Sequence, residues 1–202
     1  MKITSEAYTC TLSRNRLLYF EIKTVSQMVL DGLDVDQIKT RVISENVFQY
    51  RNKDAILKSL LMCLDRLAVL DDDLRRFLAH GDSQTGKLVA VYAIYKTDRL
   101  FREFIHEFVQ DNLLRRTISI SYADMNAFFR EKREQSPEVA GWSDRTFVDL
   151  RGTYIRILVE IHVLSDFRKR HMSPVIMPPD LQEHLLRIGE TEFVRSLTGG
   201  RP

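Results

Sequence analysis

Apolar residues recur along this chain at steps of three and four, the period of an α-helix and not of a strand. Over 14–30, Leu18, Ile22, Val25 and Val29 share one helical face. Asp31-Gly32-Leu33-Asp34 interrupts the pattern, and Asp34 suits the N-cap of a helix over 35–45 with Ile38 and Val42 inward. The stretch 53–69 carries Ile56, Leu57, Leu60, Leu61, Leu64 and Leu67 in a broad stripe, the mark of a central helix, with Cys63 at its border as a small core residue. A short helix over 72–80 stops at Gly81. Ser83 is placed to cap the next, which runs to about Tyr95. A sixth helix over 98–114 buries Leu100, Phe101, Phe104, Ile105, Phe108 and Val109.

The pattern then changes. Ile118-Ser119-Ile120 reads as a short extended piece, and Ser121 with Asp124 makes a capping box for a helix through Glu134. A polar loop over 135–142 contains Pro137 and Gly141. Ser143 caps a long helix to Leu164, with Phe147, Leu150, Tyr154, Ile157, Leu158, Ile161 and Leu164 inward and Trp142 packing into its start as a staple. A basic cluster, an extended 174–179 segment, a short helix after Asp180 and a frayed tail over 198–202 complete the chain. No alternation is long enough for a sheet. The expected fold is all-α, a multi-helix globular bundle in two parts, 1–116 and 117–202.

Composition narrows the function classes. Of 202 residues, 44% are apolar and 29% charged, enough for a core and too apolar for a disordered chain. Thirty Lys and Arg against 28 Asp and Glu give a net charge of +2, so nucleic-acid binding must come from a local patch. Two cysteines cannot build a disulfide framework. The start, 1–6, lacks the apolar core of a signal peptide, and the longest apolar run, 88–95, is eight residues where a bilayer span needs ~20. The expectation is a cytoplasmic protein with reduced thiols and no membrane span.

Catalytic motifs fail on context. Gly81-Asp82-Ser83-Gln84-Thr85-Gly86-Lys87 fits G-x-x-x-x-G-K, but a phosphate-binding loop needs a buried strand before it and Ser or Thr after the lysine. Here a charged helix precedes it and Leu88 follows, so it reads as a helix–helix loop. Glu103-Phe104-Ile105-His106 is a single E-x-x-H, where a di-iron bundle needs two; both side chains are expected to face solvent. His80, His162, His171 and His184 lie apart, so no metal and no cofactor is expected. No G-x-S-x-G occurs, although distant residues could still assemble a triad. The chain does not read as an enzyme.

Two helix-turn-helix candidates stand out. In the first, 22–30, a turn over 31–34 and 35–45, the second helix turns Gln37, Lys39, Thr40, Arg41 and Ser44 outward, residue types that bond phosphates and base edges. An ordinary hairpin with a solvated face fits the same pattern. The second candidate is 122–134, a loop and 144–164, followed by Arg168-Lys169-Arg170-His171; helix, helix and basic extended excursion is the order of a winged helix. At about 100° per residue, Arg145, Asp149, Gly152 and Arg156 fall opposite the apolar arc. Gly152 would let a phosphate backbone approach closely, or it marks a kink or a helix contact. Arg168, Lys169 and Arg170 contact phosphate, or they flank the C-terminus of the long helix as solvated cations.

The stretches Tyr8-Thr9-Cys10-Thr11-Leu12-Ser13-Arg14-Asn15-Arg16-Leu17-Leu18-Tyr19-Phe20-Glu21, Glu45-Asn46-Val47-Phe48-Gln49-Tyr50-Arg51 and Ala140-Gly141-Trp142-Ser143-Asp144-Arg145-Thr146 resemble, in order and spacing, the BrxA family of bacteriophage exclusion (BREX) systems. The resemblance covers the chain to about Gly189. It implies an all-helical monomer with helix-turn-helix elements that binds double-stranded DNA beside other subunits of the system. It also implies a shape like the antitermination factor NusB, which keeps RNA or protein binding open. No catalytic residue carries over. The residues expected to contact DNA are read from the local patterns: Lys39, Thr40 and Arg41 in the first element, and Arg145, Thr146, Arg156, Arg168, Lys169 and Arg170 in the second. A protein-interaction scaffold, its charged faces binding another subunit, is the rival reading.

Overall fold

Thr97 and Asp98 divide the chain. Asp98 takes an extended conformation and accepts the Phe101 N–H in its side chain, so one helix ends and another is capped at the same step. The computed structural model describes residues 7–13 and 17–200. The start over 1–6 read for a leader, residues 14–16 at the opening of the first expected helix, and 201–202 in the tail lie outside the described residues. Leu17–Thr97 form one compact unit, and 98–200 with the segment 7–13 form a second. The division falls here and not at 116 because the helix after Asp98 packs its phenylalanines against rings that lie beyond 116.

The first unit holds α1 (Tyr19–Leu30), α2 (Val35–Ser44), α3 (Lys53–Leu67), α4 (Asp72–His80) and α5 (Ser83–Thr97). Helix α1 starts at Tyr19, later than its apolar pattern suggests, because Leu18 sits at φ 54, outside helical space. Ile22 and Val25 are fully buried, and Met28 takes the inward place expected of Val29. In the turn to α2, Gly32 adopts φ 84, a conformation that favours glycine. Helix α3 buries Ile56, Leu60, Cys63 and Leu67, while Leu61 is 52% exposed, so its inward stripe is narrower than the leucine pattern. Burial pushes the Cys63 thiol up to about 12, which fits a core residue and not a nucleophile.

Helix α5 is the buried helix of this unit: every residue over 88–96 is buried, which accounts for the longest apolar run. Its cap is Asp82, not Ser83: the Asp82 carboxylate accepts the Gln84 and Thr85 N–H groups at 2.8 and 2.9 Å. Gly86 lies against the Tyr19 phenol, where a Cβ would come within 2.7 Å of the hydroxyl oxygen. The glycines and lysine of the G-x-x-x-x-G-K match thus belong to a helix–helix turn and a helix interior.

The second unit starts with a 3₁₀ turn (Thr11–Ser13) and one long helical run made of α6 (Arg99–Glu103), a π-helical stretch (Phe104–Gln110) and α7 (Asp111–Leu114). Then come α8 (Tyr122–Gln135), α9 (Pro137–Ala140), α10 (Asp144–Glu160), α11 (Pro179–Arg187) and α12 (Thr191–Thr198). Its core is aromatic. Phe104 lies 4.7–5.3 Å, centre to centre, from Tyr154, Phe108 and Phe128, and Phe101 meets Tyr154 edge-on at 5.2 Å. Among the described residues there are no strands, only two isolated bridges, Ser119 with His171 and Leu164 with Met172.

Three local readings change here. The polar loop over 135–142 contains α9, since Pro137 occupies a first-turn position and Ser136 caps it. Helix α10 ends at Glu160, four residues before Leu164, and His162 at φ 62 turns the chain away while Ile161 and Leu164 stay buried. Helix α12 buries Phe193, Val194 and Leu197 and takes in Thr198, which is itself buried and bonded to the Val194 carbonyl, so the tail expected to fray from 198 is helical and packed at its first residue. Neither α9 nor α12 has an apolar period long enough to announce it.

Candidate nucleic-acid interface

Helix α2 carries the first group of expected contacts. Asp34 and Gln37 close a capping box: the Gln37 N–H donates to Asp34 Oδ1 at 2.8 Å, and the Asp34 N–H donates to Gln37 Oε1 at 2.9 Å. Gln37 is therefore committed to the helix start. Lys39 and Thr40 are exposed. Arg41 Nε lies 3.4 Å from Glu45 Oε2 one turn on. The outward face is an open groove of about 630 Å³ in which Asp34, Asp36 and Glu45 accompany Arg41 and Thr40. Carboxylates outnumber cations on this surface.

The second group lies on α10 and the excursion that follows. Ser143 caps α10 by accepting the Thr146 N–H, and its hydroxyl lies 3.0 Å from Thr146 Oγ1, so Thr146 serves the cap. Trp142 and Phe147 pack at 5.9 Å on either side of the cap, the staple expected there. Arg145 is 80% exposed and reaches Asp149 at 3.0 Å. Arg156 is half-buried, one step further along the same row. Between them Gly152 is exposed, and a Cβ there would meet nothing within 4 Å. Gly152 therefore faces open space where a side chain would stand.

Beyond α10 the chain leaves and returns. Ser165 N–H donates to the His171 carbonyl at 2.9 Å, Ser173 N–H to Val163 at 3.0 Å, and Met172 N–H to Ile118 at 3.0 Å. The residues between these bonds form a loop held at its base on both sides. At its tip Asp166 accepts the Lys169 and Arg168 N–H groups at 2.7 Å each, and these bonds hold its carboxyl below the usual range. Arg168 and Lys169 are exposed. Arg170 is half-buried and bonded at the base: Nε donates to the Ile120 carbonyl and Nη1 to the Phe167 carbonyl, both at 2.9 Å. The fold thus gathers Arg145, Thr146 and Arg156 on one helix and Arg168, Lys169 and Arg170 on the loop that follows it, whereas Lys39, Thr40 and Arg41 belong to the other unit.

The residues with the most elaborate polar contacts carry no local sequence signal. Lys132 on α8 has a side chain only 3% exposed, with Nζ 2.8 Å from Glu103 Oε2 and 2.6 Å from Glu107 Oε2. Glu103 also accepts from Arg99 Nε at 2.8 Å and from the Tyr8 hydroxyl at 2.9 Å, which ties the segment 7–13 to this unit. Burial raises the Glu103 carboxyl, but the bonds from Lys132, Arg99 and Tyr8 outweigh it and hold the group below its ordinary value. His106 lies 2.9 Å from Ser196 Oγ and 3.9 Å from Glu192. Ser196 is fully buried and also reaches Gln110 Oε1 and the Glu192 carbonyl, so the trio pins α12 to the π-helical stretch. Glu103 and His106 thus correct the expectation that the E-x-x-H pair faces solvent. Among the described residues no three His, Cys, Asp or Glu side chains converge as metal ligands would, and no helix is long and apolar enough to cross a membrane.

Comparison with known proteins places this architecture. A protein of Bacillus cereus (strain H3081.97) named BREX protein BrxA is 34% identical over 198 residues, 98% of this chain and 99% of that one. A protein of the same name from Escherichia coli O9:H4 (strain HS) is 21% identical over 187 residues, 92% of this chain and 87% of that one. The crystal structure of an uncharacterized protein from Magnetospirillum magneticum has the same fold, with a TM-score of 0.82 at 21% identity over 95% of this chain and 98% of that one. The BrxA family profile matches residues 6–189, and the chain belongs to the BrxA family.

Proposed function

We propose that the protein is a non-catalytic accessory component of a BREX phage-exclusion system that binds double-stranded DNA as a monomer, without metal or cofactor, through its second unit. The observation that carries this reading is the succession of α8, α10 and a loop pinned at its base, with Arg168 and Lys169 exposed at its tip. That succession supports a winged helix in which α10 is offered to a groove and 166–170 is the wing. Arg145, Arg156, Arg168, Lys169 and Arg170 would meet phosphates, with Thr146 assisting. Gly152 supports the same reading, since it leaves the row open where a phosphate backbone would approach.

The α2 face supports a second reading for that surface. With Asp34, Asp36 and Glu45 lining its groove, it suits another protein subunit better than a phosphate backbone. Lys39, Thr40 and Arg41 would then recognise a protein.

Binding to a labelled random-sequence duplex across a salt series tests both readings. Five neutralised phosphates give a slope of log affinity against log salt of about −4.5. Arg168→Glu/Lys169→Glu should make the slope shallower by about 2, and Lys39→Glu/Arg41→Glu should leave it unchanged. A flat salt profile in the wild type would overturn duplex binding and favour a scaffold.

A further inference from the structure

We propose that Arg151 and Arg170, set by the ring of Tyr122, form a preset site for one phosphate group of the duplex backbone; this rests on the reading of the second unit as the DNA-binding part. The three residues come from separate elements: the first residue of α8, the middle of α10 and the returning limb of the loop. The Arg151 guanidinium carbon lies 4.6 Å from the centre of the Tyr122 ring, and that of Arg170 lies 4.5 Å from the same centre. Tyr122 is 49% exposed, so the assembly opens to solvent.

The partners of these arginines point to an anion. Arg151 donates from Nη1 to the Asn126 side-chain oxygen at 2.6 Å, and Arg170 donates to the Ile120 and Phe167 carbonyls. Every one of these acceptors is neutral. The Asp124 carboxylate, two residues along α8 from Tyr122, accepts the Ser121 N–H and hydroxyl at 2.7 and 2.8 Å and keeps its charge. Elsewhere the arginines Arg41, Arg133 and Arg145 each have a carboxylate within 3.4 Å. Here two cations share one ring, and their bonds fix position without cancelling charge.

Each guanidinium carries five N–H donors. Arg151 commits one nitrogen and Arg170 two, so both retain donors for an anion. A phosphodiester brings the missing charge and matches the guanidinium fork. The site also joins the base of the loop to the outward side of α10, which would let loop and helix engage the backbone as one rigid piece.

The test uses the full chain and a salt series on a labelled duplex, with Arg151→Gln/Arg170→Gln, Tyr122→Phe and Tyr122→Leu beside the wild type. The double arginine variant should weaken binding and make the salt slope shallower by about 1, the signature of one lost phosphate. Tyr122→Phe keeps the ring and should bind as the wild type does; Tyr122→Leu should follow the arginine variant. Thermal unfolding of each variant separates misfolding from lost contact, and Arg151→Gln alone serves if the double variant melts early. A wild type that binds while the arginine variants keep its affinity and slope overturns the site but leaves duplex binding standing, and would direct the pair to an acidic protein face. A wild type that fails to bind duplex overturns the reading beneath it.

Discussion

The outward face of α2 reads as Gln37, Lys39, Thr40, Arg41 and Ser44 and that of α10 as Arg145, Asp149, Gly152 and Arg156, both offering cations, yet their electrostatics differ. On α2, Arg41 is paired with Glu45, Gln37 is used by the cap, and Asp34 and Asp36 share the groove. On the second unit Arg145 is likewise paired, with Asp149, and the loop carries one ionised carboxylate, Asp166, on the backbone N–H groups of Arg168 and Lys169, but Arg151 and Arg170 are held by neutral acceptors. What separates the faces is the group that already answers each positive charge. A cation bonded to a carboxylate must give that partner up before it meets a phosphate, whereas one fixed by carbonyls is already placed and still charged.

Lys132 is the extreme case of an answered cation, and its removal should give the largest effect. It is buried and bonded to both Glu103 and Glu107. Lys132→Met should destabilise the protein by about 1–3 kcal/mol, because it removes a buried cation from Glu103, which keeps Arg99 and Tyr8, and from Glu107, which is 45% exposed and partly screened by water. Duplex binding by the folded fraction should not change, since Lys132 offers nothing to solvent. The pH dependence has a definite sign. Glu103 is held below its ordinary value of 4.5, so its contribution is complete above that value and fades as acid protonates the folded carboxyl. Burial lowers Lys132, but its bonds to Glu103 and Glu107 outweigh this and raise it above 10.5, so its contribution is complete below 10.5 and fades as pH climbs through the raised value. Denaturant unfolding of wild type and variant should converge toward both extremes and differ most between them.

The sequence made the helix ends readable and the long-range polar contacts unreadable. Asp34, Ser121 and Ser143 act within three residues of themselves, as caps do, and each caps the helix it was expected to cap. Trp142 meets Phe147 for the same reason. The displaced cap, Asp82 in place of Ser83, is an error of one residue in a run where both types suit the role. Lys132 could not be found, because its carboxylate partners lie 25 or more positions away and nothing local distinguishes it from Lys and Arg neighbours that face water. The same holds for Tyr122, Arg151 and Arg170, which meet only once the loop has folded back on α8. One signal was available: Glu45 four residues after Arg41 and Asp149 four after Arg145 announce paired charges on both helices.

Gly152 offers a test of intermediate size. It lies inside an exposed helical turn with no atom near the place of a Cβ. Gly152→Ala should stabilise the protein by about 1 kcal/mol, the difference in helix propensity. If α10 approaches a phosphate backbone, the added methyl group should weaken duplex binding several-fold even as the fold gains stability. Opposite signs in the two measurements would tie this glycine to binding. Raised stability with unchanged affinity would remove Gly152 from the interface and leave the loop tip and the Tyr122 arginines to carry it.

The smallest effects sharpen the comparison most. The Arg41–Glu45 and Arg145–Asp149 pairs have the same spacing and open surroundings, so breaking either should change stability by no more than about 0.5 kcal/mol. Their consequences for DNA should nevertheless differ. Asp149→Asn releases Arg145 on a row that also carries Gly152 and Arg156, so duplex affinity should rise modestly and the salt slope should steepen, by at most about one phosphate. Glu45→Gln releases Arg41 into a groove that still contains Asp34 and Asp36, so the duplex profile should stay as it is. Equal gains from both variants would mean that a single carboxylate silences each face, and that α2 is a second DNA-binding surface and not a protein-binding one.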